Sequence, residues 1–199
     1  LVGSEMCIRD SIGTVELIQD AIDKGFKNIN LFIGGSATND GAIGIAHALG
    51  YRFYDTLSNP LSPIGKNLIK IDTIDSRRVT SNLKYFNIEV FCDVNNLMYG
   101  SEGASFIYAA QKGATQSQVK LLDEGLKNLV AKLTENDYKK ISDIPGSGAA
   151  GGVGGGSIAF LDAKLVSGID KIIRVVQLEK LINNCDLIIN IGVDQMMSH

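Results

Sequence analysis

Two glycine-rich runs constrain this chain more than anything else in it. They are Gly34-Gly35-Ser36-Ala37-Thr38-Asn39-Asp40-Gly41 and Pro145-Gly146-Ser147-Gly148-Ala149-Ala150-Gly151-Gly152. Each packs glycine with small or hydroxyl-bearing residues where a chain turns from a strand or loop into a helix. Glycine allows close backbone approach and φ > 0. A helix N-terminus offers unpaired N–H groups that suit phosphate or carboxylate. Two such loops predict a site for a phosphorylated or acidic ligand.

Hydrophobic periodicity places these runs in an α/β domain. Thr14 is the expected cap of a helix carrying Leu17, Ile18, Ala21 and Ile22, which Gly25 ends; residues 1–10 show neither helical nor strand periodicity. Residues 28–33 read as a strand entering the first glycine loop, and Ala42 to Leu49 as the helix leaving it. Residues 51–54 read as a short strand, 56–67 as a loop, 88–94 as a strand ending near Asp93, and 104–110 as a short helix. Thr115 and Gln118 form a capping box for a helix with an apolar stripe at Val119, Leu122, Leu126, Leu129 and Leu133. A small-residue helix to Leu161 follows the second glycine run. Helices over 169–176 and 178–182 and a third strand over 186–191 complete the pattern. Strands alternating with helices predict a largely parallel sheet with flanking helices.

Composition narrows the function. The 199 residues, 45% hydrophobic, suffice for a real core. A net charge of −3 without a basic cluster argues against nucleic acid as a partner. No apolar run approaches a membrane span, and residues 1–11 lack a signal-peptide core, so the expected location is the cytoplasm. Cys7, Cys92 and Cys185 form no CxxC pattern; Cys92 and Cys185 sit in apolar runs and read as small buried residues. His47, in an apolar helix, reads as packing.

The first loop could act through Asp40 as proton acceptor or metal ligand. Gly34 and Gly35 would supply close backbone, and Ser36, Thr38 and Asn39 hydrogen bonds to an oxyanion. The same residues could equally cap a helix and turn the chain. The second run contains Gly146-x-Gly148-x-x-Gly151, a dinucleotide-type spacing with Asp170 downstream. No convincing strand precedes it, and close packing through small residues explains it equally. Asp93, at a strand end, is placed for catalysis or Mg²⁺, or for an Asx turn. Lys112 could neutralise phosphate charge.

Taken in order, these segments resemble the type I glycerate kinase family. The matching pieces are Gly13-Thr14-x-Glu16-Leu17-Ile18, Gly34 to Gly41, and Asp93-Val94-x-Asn96-Leu97 with Gly100 and Gly103-Ala104. Gln111-Lys112-Gly113-Ala114 and Pro145-Gly146-x-Gly148-Ala149-Ala150-Gly151-Gly152 follow. The resemblance implies ATP-dependent, Mg²⁺-requiring phosphorylation of D-glycerate. It implies a two-domain protein of which residues 12–191 are mostly the inserted α/β domain, cut at both ends; residues 1–11, without periodicity, read as an unrelated or disordered leader. On this reading the expected catalytic residues are Asp40, Asp93 and Lys112: Asp40 or Asp93 accepts the proton or holds Mg²⁺, with Asp93 the candidate metal ligand, and Lys112 neutralises charge. Gly34, Gly35, Ser36, Thr38, Asn39, Gly146, Gly148 and Gly151 are the implied substrate or phosphate contacts. The chain departs from the family at Asn95-Asn96-Leu97, where Asn-Pro-Leu is usual, at Ala109-Ala110 and after residue 189. A nucleotide-dependent oxidoreductase and a non-catalytic acid- or phosphate-binding module are the alternative readings.

Overall fold

The structure, a computed structural model, describes residues 5–36, 38–79, 85–183, 185 and 187. Its first helix, α1 (Glu5–Asp23), begins nine residues before the expected cap, so Thr14 lies inside it. Once Val15 and Ile18 are buried and fix the helix, each further turn adds hydrogen bonds without a new nucleation cost. Gly25, at φ +82°, closes α1 through Gly25 N–H to Ile22 and Phe26 N–H to Ala21, the paired bonds of a left-handed glycine cap.

A three-stranded parallel sheet follows, in the order β1 (Asn28–Phe32), β4 (Asn87–Phe91), β5 (Lys164–Val166). Phe32 pairs with Phe91 and Phe91 with Val166, so all three strands end at one edge. β5 was not expected: three residues give no alternation to read. The strand expected over 186–191 falls almost entirely outside the described residues. A separate antiparallel pair joins β2 (Arg52–Tyr54) to β3 (Thr73–Asp75), the latter also too short to predict. Between them, residues 65–70 form a 3-10 turn.

The helices largely follow the apolar pattern. α2 (Ile43–Ala48) buries Ile43, Ile45 and Ala46. α3 (Gln116–Glu135) carries the expected capping box and buries the full Val119–Leu133 stripe. Residues 105–109 form a π turn and 110–112 a 3-10 turn, instead of the expected α-helix. α4 (Ala149–Leu161) is buried nearly all round, because its glycines and alanines let neighbours touch its backbone. α5 (Gly168–Val175) and α6 (Leu178–Ile182) finish the described chain. The core joins sheet and helices through Ile88, Val90, Met98, Leu126 and Leu129, with Tyr51 meeting Phe160 edge-on at 5.0 Å. Cys185 is exposed, contrary to expectation, and Cys92 is half-buried. No described helix is long and apolar enough to cross a membrane.

His47 sits where packing was expected. Burial, and then the positive charge of Arg52, hold its imidazole below the usual range. A depressed pKa means that the unfolded chain binds the proton more readily. The stabilisation is therefore present above the unfolded value, about 6.5, and lost as pH falls below it. The denaturation midpoint should fall between pH 7.5 and 5, and His47→Gln should reduce that fall. An equal fall in both proteins would remove His47 as a cause.

Candidate active site

The common edge of β1 and β4 opens into a cleft of about 520 Å³. Parallel strands make this so, since their carboxyl ends emerge together and the loops that leave them diverge. Gly34, Gly35 and Ser36 from the first glycine run form one wall. Asp93, just beyond β4, forms the next. Lys112 and Gln111 come from the 3-10 turn, Ala149 and Ala150 from the second glycine run, and Gly168 from the start of α5.

The expected site residues thus divide. Gly34, Gly35, Ser36, Asp93 and Lys112 line the cleft; Thr38 lines an adjoining hollow with Gly34, Gly35 and Ser36, and Asn39, Asp40, Gly146, Gly148 and Gly151 are not in the cleft lining. At Gly34 and Gly35 an added Cβ would meet nothing within 4 Å, so these glycines present bare backbone to open space. The Ser36 hydroxyl bonds that of Thr38 at 2.8 Å and accepts the Thr38 N–H. The Lys112 ammonium donates to the Thr38 carbonyl at 2.7 Å, which fixes its charge beside the loop.

Asn39 and Asp40, each 1% exposed, anchor the loop from below. The Asn39 amide donates to the Ser105 hydroxyl at 3.0 Å. Asp40 accepts from Ala42 N–H through Oδ1 and from Gly44 N–H through Oδ2, so its charge sits on the start of α2. It is not part of the cleft lining, and it does not share that surface with Asp93.

Asp93 is exposed. Its Oδ1 accepts from the Ser167 hydroxyl at 3.2 Å and from Ile169 N–H at 3.1 Å, which places its charge at the start of α5. A Cβ on Gly168 would stand 2.6 Å from Oδ2; glycine there keeps that oxygen's surroundings open. Beside it, burial and then the Asp93 charge push the Cys92 thiol up from its usual range. It is therefore protonated at neutral pH and a poor nucleophile. Burial also raises the Tyr108 phenol, which donates to Asn96 Oδ1 at 2.5 Å.

The second glycine run brings backbone close to backbone. A Cβ on Gly151 would stand 2.2 Å from the Thr38 carbonyl, and one on Gly148 2.1 Å from that of Leu97. Gly41 N–H donates to the Gly151 carbonyl, and Gly148 N–H to that of Asn96. A Cβ on Gly146 would press on the Cys92 sulfur at 2.9 Å. This run therefore clamps the first loop to the segment after β4. Residues 141–148 are turns, without the strand that a dinucleotide loop requires. Sequence reasoning missed Gln111, Ala149 and Ala150 as cleft residues and Ser105 as an anchor; none carries a local signal for its role.

Comparison with known proteins identifies the family. The model of the glycerate kinase family matches residues 3–192. A glycerate kinase of Bacillus cereus is 44% identical over 177 residues, covering 89% of this chain and 46% of that protein. The glycerate 2-kinase of Escherichia coli is 40% identical over 182 residues, covering 92% and 48%. A crystal structure of a protein assigned as glycerate kinase 2, from Salmonella typhimurium LT2, superposes with a TM-score of 0.79 at 38% identity. It covers 87% of this chain and 46% of that one. The chain spans about half the length of these relatives. Its parallel sheet, its two interlocked glycine runs and the match over nearly all of its length agree: the chain belongs to the glycerate kinase family.

Proposed function

We propose that the full-length protein containing this chain transfers the γ-phosphoryl group of ATP to a hydroxyl of D-glycerate, and that this cleft forms part of its active site. The observation that carries the reading is the meeting of Lys112, Asp93 and the bare Gly34–Gly35 backbone in one cleft. Phosphoryl transfer demands little covalent chemistry from protein; it demands position and cancelled charge. The bond from the γ-phosphorus to the bridging oxygen breaks, a bond to the glycerate oxygen forms, and ADP leaves.

Lys112 is the proposed counter-charge for the phosphates, held in place by the Thr38 carbonyl. Gly34, Gly35 and Ser36 are the proposed hydrogen-bonding wall. Asp93 is the proposed acceptor of the hydroxyl proton or ligand of Mg²⁺. A Mg²⁺ bound with nucleotide needs only one or two carboxylates beside the phosphates, and the open Oδ2 over Gly168 suits that demand. Bound there, the ion would neutralise phosphate charge. Asp40, with Thr38, Asn39, Gly146, Gly148 and Gly151, is proposed to position the loop.

The test is glycerate-dependent ADP release by the full-length protein. Wild type should turn over with Mg²⁺, and Asp93→Asn should lower kcat at least about a hundredfold with an unchanged melt. Glycerate binding without ADP release would instead favour the non-catalytic acid-binding module. Wild-type kcat in Asp93→Asn would remove Asp93 from the chemistry.

A further inference from the structure

Apart from the Asp93 carboxylate, the cleft has an apolar part and a polar part, and only the polar part is explained by phosphate. Phe32 ends β1 with 63% of its surface exposed, and its ring meets that of Phe91 edge-on with centroids 4.5 Å apart. Ile172 on α5, 48% exposed, lines the same cleft. At the mouth of a cleft, neighbouring exposed apolar side chains are candidates for a binding surface. Two residues beyond Phe32 the lining changes to bare glycine backbone, the Ser36 hydroxyl and, across the cleft, the Lys112 ammonium. Glycerate cannot use the apolar part, because each of its three carbons carries oxygen. A nucleotide divides as the cleft does, into a flat apolar ring and a polyanion. The volume, about 520 Å³, lies within the range of sites for drug-sized ligands.

We propose that this cleft takes the nucleotide, with its base against Phe32 and its phosphates toward Gly34–Ser36 and Lys112. The assignment rests on the kinase reading above. Base-on-aromatic stacking tolerates any base, because every base has a π face. The chain's own contribution is therefore affinity for the ring, and the phosphate wall sets its direction.

The experiment measures binding to the full-length protein by calorimetry. The ligands are Mg-ATP, magnesium tripolyphosphate and D-glycerate; the proteins are wild type, Phe32→Ala and Phe32→Trp. Phe32→Ala should weaken ATP about tenfold or more while tripolyphosphate stays within about twofold. Glycerate binding should not change, and Phe32→Trp should bind ATP as wild type does. A thermal melt confirms that the truncation leaves the fold intact. Unchanged ATP affinity in Phe32→Ala would overturn the proposal and make Phe32 a contact for another part of the longer protein. Equal losses of ATP and tripolyphosphate would also overturn it, since the ring would then only support the loop. Failure of wild type to bind ATP at all would overturn the kinase reading with it; glycerate turnover with an unaffected Phe32→Ala variant would overturn this assignment alone.

Discussion

Lys112→Met in the full-length protein is expected to lower kcat for glycerate phosphorylation at least about a hundredfold, since removing one pre-placed charge or donor from such a site typically costs 10²–10³. The ammonium is already held by the Thr38 carbonyl at 2.7 Å and lines the cleft with Asp93 and Gly35. A pre-placed charge needs no reorganisation when negative charge spreads over the transferring group. Methionine keeps the length and apolar stem but removes the donor to the Thr38 carbonyl, so the variant should lose about 1–3 kcal/mol of stability and still fold. Lys112→Arg should recover only part of the rate, because a planar fork cannot reproduce a point charge. Steady-state ADP release beside a thermal melt decides the matter. A rate near wild type in Lys112→Met would reduce the residue to a loop tether.

Gly151→Ala should be among the more damaging single-methyl changes, and its damage should be to stability. Gly151 adopts φ +73°, and its new Cβ would stand 2.2 Å from the Thr38 carbonyl oxygen and 2.6 Å from the Asn39 Cα. The backbone conformation alone costs about 1–2 kcal/mol. Forced displacement of packed backbone adds about 1–3 kcal/mol. Neither neighbour is the end of a flexible side chain, so the first glycine loop must move as a unit. Gly34→Ala is the control: it has no positive φ, and its Cβ would meet nothing within 4 Å. It should melt like wild type and weaken ligand binding instead. Equal melting of the two variants would contradict the division between clamping and cleft-lining glycines.

That division shows where the sequence was readable and where it was not. β1, β4 and α3 were legible because periodicity and the Thr115–Gln118 capping box are local signals. The position of Gly34–Ser36 at a strand's carboxyl end followed from the same pattern. Asp40 was ambiguous on the page, since a carboxylate two residues before a helix suits both a cap and a base. In the structure the cap position is Ala42, and Asp40 accepts from Ala42 N–H and Gly44 N–H from just before it. These two bonds also weaken Asp40→Asn as a test of catalysis, because the new amide would turn a donor toward one of those N–H groups. The β5 and β3 strands are three residues each and exist through pairing alone. Lys112 meets Thr38 across 74 residues of sequence, a proximity that no local pattern encodes. The second glycine run has ligand-loop spacing, yet its glycines are consumed by the Thr38, Leu97 and Cys92 contacts. Only the neighbours, not the spacing, distinguish the two uses.

The shared edge of β1 and β4 is the proposed place of phosphoryl transfer. A crystal structure of the full-length protein with a non-hydrolysable ATP analogue, Mg²⁺ and D-glycerate tests it most directly. The triphosphate is expected within hydrogen-bonding distance of Lys112 Nζ and the Gly34–Ser36 backbone, with the glycerate hydroxyl facing the γ-phosphate. A triphosphate and glycerate bound together elsewhere, with the cleft filled by another part of the polypeptide, would contradict it.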